Sequence, residues 1–478
     1  MSAAPQHDSA NKLNIVILYD SGSMHVSTLW EYLDAFRQHS RHNIYFLPAT
    51  NCDWLNQEPR PEIPDFSLFD VAIVHHSVRI SVPDHLNKDI ANKLAAYDGL
   101  KLLIIQDEYD MTETARRWMD RLQFDIVYNG IPEQDCEKIY PRQRFPKTQF
   151  RQVLCGYLPD TKQVEKYALP PEQRKIWIGY RGRVLPFHYG ALTREKYTIG
   201  VEFKKLAAQR GIPADIEVAN DQRIYGSNWY RFLGSARATL GTESGSNVFD
   251  IDGSIESAVE QALAQQPGVT YEEIQRTVLA PYEGMVIMNQ ISPKIFEAIQ
   301  LRTALILFEG NYSGVVKPDI HYIPLKKDFS NIDDVLKKLQ DTAYLKQLTD
   351  RAYSDVVESG DYSYRRFIES IDADIDARIK SPARHQSIWS LIKAHRKNGT
   401  LRTVVPQSGD RPPAPPVVKR NIFQSYLRKA YNLTLRPFVR LAYRQTRRHH
   451  GIVYFALRPV FLRLPETVRD KLVRQSKR

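Results

Sequence analysis

Glu297 stands among Ile295, Phe296, Ala298 and Ile299. A carboxylate in such company needs a partner. Lys294, three residues earlier, can pair with it or meet an anion, and a ribose diol would bring two hydroxyl donors. Ser292 and Pro293 ahead of them read as a helix start, an N-cap serine followed by a proline in the first turn. Arg181 and Arg183 lie on the glycine-containing turn Gly179-Tyr180-Arg181-Gly182-Arg183. Guanidinium groups bind phosphate oxygens in bidentate fashion, so this pair suits a diphosphate; the alternative is a solvated surface pair. His75 and His76 close one apolar run, and Gln106, Asp107 and Glu108 close the next. A histidine at such a position can donate to a phosphate or sugar oxygen, or it caps or fills a core. The acids can accept from the hydroxyls of an acceptor sugar, or they cap the following helix. Gly22, in Tyr19-Asp20-Ser21-Gly22-Ser23-Met24-His25, offers a small-residue turn where backbone N–H groups could approach an anion; an ordinary turn is the alternative. Glu243, in Gly241-Thr242-Glu243-Ser244-Gly245-Ser246-Asn247, again follows an apolar run.

These residues sit at the ends of short apolar runs. Leu13 to Tyr19 is continuous, as expected of a strand buried on both faces, and Asn43 to Ala49, Val71 to His76, Leu100 to Gln106 and Phe124 to Tyr128 are similar. A second set comprises Lys175 to Tyr180, Asp215 to Val218, Ala238 to Thr242, Ala304 to Glu309 and His321 to Leu325. Stretches of helical period alternate with them, such as Leu29, Leu33 and Phe36, Glu202 to Gln209 before Gly211, and Ile332, Val335, Leu336 and Leu339. Strand and helix in alternation predict parallel sheets, and two such sets predict two Rossmann-like units. In such sheets ligands bind at the carboxyl ends of the strands. The expected division is an N-terminal Rossmann-like domain over 1–168, a second over 169–330, closing helices over 331–400, a Pro-rich linker over 401–418 and a basic amphipathic tail over 419–478.

Of 478 residues, 42% are hydrophobic and 25% charged, ordinary for globular protein. The three cysteines, Cys52, Cys136 and Cys155, are widely spaced and odd in number. That argues against a disulfide scaffold or a cysteine-built zinc site and fits a reducing compartment. The polar start, Met1 to Asn11, has no apolar core and is no signal peptide, and no run approaches the ~18 apolar residues of a spanning helix. The net charge of +11 is concentrated. Arg411 to Arg478 holds 17 Lys/Arg and two acids, Glu466 and Asp470, leaving 49 basic against 53 acidic residues elsewhere. With the apolar stripe of Phe423, Tyr426, Leu427, Ala430 and Tyr431, the tail reads as an element for an anionic membrane surface rather than for nucleic acid. A disordered solubilising tail is the alternative.

The stretch Ser292 to Glu309 (SPKIFEAIQLRTALILFE) resembles the strongest motif of GT-B glycosyltransferases of family four, the "glycosyl transferases group one" type. The resemblance implies that Glu297 binds the nucleotide ribose and that Lys294 lies near the diphosphate. The family carries another glutamate seven residues earlier than this motif's own; here that position is Asn289. Glu243-Ser244-Gly245 resembles the family's Glu-Gly-x-Gly donor loop, which makes Glu243 the expected contact to donor-sugar hydroxyls, with Asn289 second and 247–288 an insertion. Phe69 to His76 is similar to the family's strand ending in histidine near the donor, Lys101 to Tyr109 resembles the strand after it, and Arg181 and Arg183 fall where the family has a phosphate-binding cation.

The resemblance covers roughly 13–375. It implies an α/β fold of GT-B type, two Rossmann-like domains facing across a cleft. It implies a retaining, metal-independent transferase that moves a sugar from a nucleoside-diphosphate sugar to a glycan or lipid-linked acceptor in bacterial surface polysaccharide synthesis. No cofactor beyond the donor is expected, and Asp250-Ile251-Asp252 is expected to be a loop feature rather than a metal site. The expected place of work is cytoplasmic, peripheral to the inner face of the cell membrane. The alternatives are a GT-B-fold sugar-nucleotide epimerase and a non-catalytic binding protein with a polycationic tail.

Overall fold

A computed structural model describes residues 12–51, 62–159, 162–379, 389–397 and 400–406. Met1 to Asn11, Cys52 and the tail beyond 406 lie outside the described residues.

The first lobe is a six-stranded sheet in the order β2-β1-β3-β4-β5-β6. Its strands are β1 (Asn14–Tyr19), β2 (Asn43–Pro48), β3 (Val71–Val74), β4 (Leu100–Ile104), β5 (Ile126–Asn129) and β6 (Gln149–Gln152), and every pairing is parallel. The connecting helices are α1 (Ser27–His39), α2 (Lys88–Ala95), α3 (Thr112–Leu122) and α4 (Glu133–Ile139). β1 is buried along its whole length because helices cover both faces of the sheet. β6 is polar and exposed at its end, as an edge strand can be.

The second lobe is a five-stranded sheet in the order β11-β10-β9-β7-β8, again all parallel. It contains β7 (Ile176–Arg181), β8 (Ala214–Glu217), β9 (Ala236–Gly241), β10 (Ala304–Phe308) and β11 (Ile323–Leu325). Its helices are α5 (Gly190–Gln209), α6 (Ser227–Gly234), α7 (Ser254–Gln265), α8 (Pro293–Gln300), α9 (Ile332–Gln340) and α10 (Thr342–Tyr353). Gly211, at φ +63°, follows the end of α5 in the left-handed conformation that glycine adopts without penalty. The two α/β lobes expected from the strand pattern are therefore present, and each chain order reverses once: between β1 and β3 in one sheet, between β7 and β9 in the other.

The closing segment belongs to both lobes. α9 and α10 pack on the second. α11 (Tyr364–Arg378) crosses back, burying Tyr364, Phe367, Ile368, Ile371 and Ile375 in the core under β1 and β3. After α12 (Trp389–Lys397), Arg402 exchanges two backbone hydrogen bonds with Phe46 on β2. Residues 402–406, expected as the start of a free linker, are thus docked on the first lobe, with Trp30 donating to the Val405 carbonyl at 3.0 Å.

The stretch 247–288 is a small lobe of its own, with Val248, Ile255, Val259, Ile274 and Leu279 as its core. Its two ends are stitched together by paired backbone bonds between Ser244 and Gln290. It also reaches the first lobe. α3 has no side-chain N-cap, and its leading amides, Thr112 and Glu113, donate to the Asp250 and Ile251 carbonyls. The Asp250 carboxylate meanwhile accepts from the amides of Gly253, Ile255 and Glu256 at the start of α7. The Asp-Ile-Asp spelling is spent on capping a helix.

One buried cation braces the second lobe. Arg174 is 4% exposed and donates to the carbonyls of Leu169, Ala236, Leu301 and Arg302 and to the Thr303 hydroxyl. Only a guanidinium offers that many fixed donors. Arg174→Ala leaves several buried carbonyls unmet and is expected to cost about 3 kcal/mol in urea denaturation, with Arg174→Lys recovering less than half.

Candidate functional site

The carboxyl ends of both sheets open onto one cleft. A cavity of about 180 Å³ is lined from the first lobe by Tyr32, His76, Asp107, Glu108 and Gly130, and from the second by Ser244, Gln290 and Pro293. Several polar atoms around it are buried without a protein partner: the Tyr32 hydroxyl, His76 Nδ1 and Glu108 Oε2, with Asn289 Oδ1 nearby on the second lobe. Native interiors leave few such atoms unpaired, so a cluster of them marks a place where a polar ligand completes the bonding.

Glu108 is wholly buried. Oε1 accepts from the Gly130 amide at 2.8 Å. Burial pushes its carboxyl up to about 8, so it is a neutral acid at neutral pH, able to donate as well as accept. Asp107 beside it is exposed, has φ +59°, and accepts from the Tyr109 hydroxyl at 2.7 Å. His76 lines the same cavity, and burial holds its imidazole down to about 4, so it is neutral and acts by hydrogen bonding.

His75 does not join it. It is fully buried, Nδ1 faces Ser77, and the ring packs against Tyr32 at 4.9 Å. This corrects its expected catalytic role: β3 turns its side chain into the core. Gly22 is corrected likewise. It lies in a short 3-10 turn whose amide already donates to Asp20 Oδ1 at 3.3 Å, so a carboxylate occupies the position an anion would take.

On the second lobe the cations sort themselves. Arg181 is not free. Its guanidinium pairs with Asp215 at 2.8 Å, donates to the carbonyls of Tyr180, Asp215 and Gln222, and lies over the Phe232 ring. It fastens the end of β7 to β8 and the loop beyond, which corrects its expected phosphate role. Arg183, two residues on, is exposed. Lys294, in the first turn of α8, donates to the Arg181 carbonyl at 2.8 Å and lies over the Trp229 ring. Sequence reasoning missed Lys196. It lies on α5 and donates to the Ser244 hydroxyl at 2.9 Å. Burial lowers its ammonium, and the Arg183 charge adds to that. Lys294 is lowered in the same way by desolvation, with Lys196, Arg223 and Arg183 contributing. Four cations thus feel one another across a small region, and none of the four forms an ion pair among the described residues. Such a cluster favours an anion of more than one charge.

Glu297 is 9% exposed, and its Oε2 accepts from Trp229 Nε1 at 2.7 Å. Burial raises its carboxyl, while Trp229 and Lys294 oppose the shift. It therefore sits beside the cations, with Trp229 of α6 as an anchor that the sequence pattern did not reveal. Ser292 occupies the N-cap position of α8 as expected, but its hydroxyl makes no capping bond.

Glu243 differs from expectation. Oε1 accepts from the amides of Asn311 and Tyr312 at 3.0 and 2.7 Å, and Oε2 from Asn289 Nδ2 at 2.6 Å. It is 5% exposed. Its carboxylate is engaged in holding the loop after β10, so it is a strut rather than the expected catalytic group. Asn289, second in expectation, keeps a free carbonyl oxygen.

No family model matches the chain, and no curated protein matches it. Among solved structures it is similar to an α-glucosyltransferase in complex with UDP and a 13-mer DNA (11% identity, 77% of this chain and 100% of that one, TM-score 0.45). It is also similar to a sucrose-phosphate synthase from Thermosynechococcus elongatus (11%, 77% and 100%, 0.41) and to HepE of Anabaena in complex with UDP and glucose (10%, 76% and 100%, 0.41). Likeness at this level carries no functional weight; the fold stands on the strand orders themselves.

Glu108 makes a pH prediction. Between about pH 4.5 and 8 the unfolded chain releases the proton that the folded chain keeps, so this group's contribution to stability falls as pH rises through that window. Glu108→Gln removes the effect. Urea denaturation at pH 5 and pH 8 should show the parent losing more stability than the variant, by roughly 2 kcal/mol or more.

Proposed function

We propose that the chain is a glycosyltransferase that takes its sugar from a nucleoside-diphosphate donor. One observation carries the reading: Lys196, Lys294, Arg183 and Arg223 gather without acidic ion-pair partners beside Glu297, next to a cavity rimmed by unpaired polar groups of both lobes. In the reaction the bond from the anomeric carbon to the diphosphate breaks, and negative charge grows on the departing oxygens. Fixed cations stabilise that charge without reorganising. In this reading Lys196 and Lys294 face the diphosphate and Glu297 receives the ribose. His76, Glu108 and Asn289 orient sugar hydroxyls, and Asp107 meets the acceptor. Retention of anomeric configuration, metal independence and kinship with family four belong to the same proposal and rest on the resemblance of 292–309.

A screen of nucleoside diphosphates by thermal shift tests it, because a ligand bound only by the folded state raises apparent stability, by about 2.7 kcal/mol at a hundred times Kd. We expect one base to give a clear shift. Lys196→Ala and Lys294→Ala should each weaken that nucleotide at least tenfold, whereas Arg181→Met should lower stability and leave nucleotide affinity unchanged. A parent protein indifferent to every nucleotide sinks the reading.

The acceptor side of the proposal is a glycan or lipid-linked sugar presented at an anionic membrane, with Arg411 to Arg478 as the attachment. Support comes from 17 basic residues against two acids in that stretch, at about 1 kcal/mol per basic residue near such a surface. Flotation with anionic vesicles should recover the full chain and not residues 1–408; equal recovery would refute it.

A further inference from the structure

Glu31 lies one turn into α1, on the first lobe, and meets the second: the Tyr230 hydroxyl of α6 donates to its Oε1 at 3.0 Å. The preceding residue of α6, Trp229, makes the corresponding bond to Glu297. Two consecutive residues of one helix therefore hold one carboxyl group from each lobe. Glu31 lines a separate interlobe cavity of about 220 Å³ with Ser27, Asp34, Tyr167, Ser227 and Tyr230. Asp34 beside it is already committed to Arg37 and Gln38. No ion pair or second hydrogen bond engages Glu31 among the described residues. Burial, with the nearby Glu297 charge, pushes its carboxyl up to about 8, the mark of an acid enclosed without enough donors. A carboxyl group can accept several hydrogen bonds, and Tyr230 supplies one.

We propose that Glu31 accepts a ribose hydroxyl of the bound nucleotide from the first-lobe side, so that the nucleoside is gripped by Glu297 of one lobe and Glu31 of the other. This rests on the reading that the donor is a nucleoside-diphosphate sugar. A vicinal diol presents two hydroxyls to two carboxyls that α6 holds side by side. Binding then favours the closed arrangement of the lobes, since only there do both acids reach one ligand. A site built to hydrogen-bond a hydroxyl also rejects the analogue lacking it.

Calorimetric titration of the full chain with UDP, ADP and GDP, each beside its 2′- and 3′-deoxy counterpart, tests this. The parent should lose at least tenfold in affinity when a ribose hydroxyl is removed. Glu31→Gln keeps an acceptor for Tyr230; it should bind the ribonucleotide several-fold more weakly and reduce the penalty at one deoxy position to twofold or less. Glu31→Asp, which withdraws the carboxyl, should behave likewise if the amide is not tolerated. Should the variants weaken ribo- and deoxyribonucleotides equally, or the parent show no deoxy penalty, Glu31 is a lobe contact only and the proposal is overturned. Should the parent bind none of the three nucleotides, it falls together with the donor reading, so the two failures are distinct.

Discussion

Parallel pairing makes every strand of a sheet end at the same edge, and each return path must run through a crossover on the sheet's face. Both sheets of this chain obey that constraint, and the rest of the molecule follows from it. The carboxyl-terminal edges collect the turns that carry His76, Asp107 and Glu108 in one lobe and Arg183, Ser244 and Asn289 in the other. The crossover helices bring Glu31 and Lys196 to the same side. The functional groups converge because the topology leaves them nowhere else to end.

Within the cleft, burial governs charge more than pairing does. The acids Glu31 and Glu108 are raised toward neutrality, the imidazole of His76 is lowered to neutrality, and Lys196 and Lys294 are weakened as ammonium ions. All of these shifts disfavour isolated charge in a poorly solvated space. The uncompensated remainder is positive and concentrated on the second lobe. A polyanion with hydroxyl groups satisfies both the cations and the unpaired acceptors.

The strands of the core were legible because sheets covered on both faces require unbroken apolar runs, as in β1 and β10. β6 was not, since an edge strand reading Gln-Phe-Arg-Gln has no such requirement. Glu297 and Lys294 stood out as charges among apolar neighbours in a recognisable motif. Arg181 and Arg183 could not be separated by spacing, because what distinguishes them is Asp215 and the carbonyls of β8, which come together only in the fold. Lys196 sits mid-helix in Thr-Arg-Glu-Lys-Tyr, a pattern common to exposed helices. Glu243 matched the expected loop, yet Asn289 at the family's glutamate position donates to it and ties it down. A swap of that kind is visible only when both side chains are seen together.

The small lobe of 247–288 constrains how the molecule can move. Its Asp250 and Ile251 carbonyls are the partners of the first amides of α3, while its Glu283 accepts from the Ala191 amide at the start of α5. It is therefore fastened to both halves, like the spine of a book. Parting the halves along that side would strand amide groups at a helix start, whereas swinging them apart at the opposite margin, where Tyr230 and Glu31 meet, breaks far less. Exchange of a bulky ligand is easiest from the free margin, and lengthening or shortening the spine would alter how wide the covers part without touching any group inside.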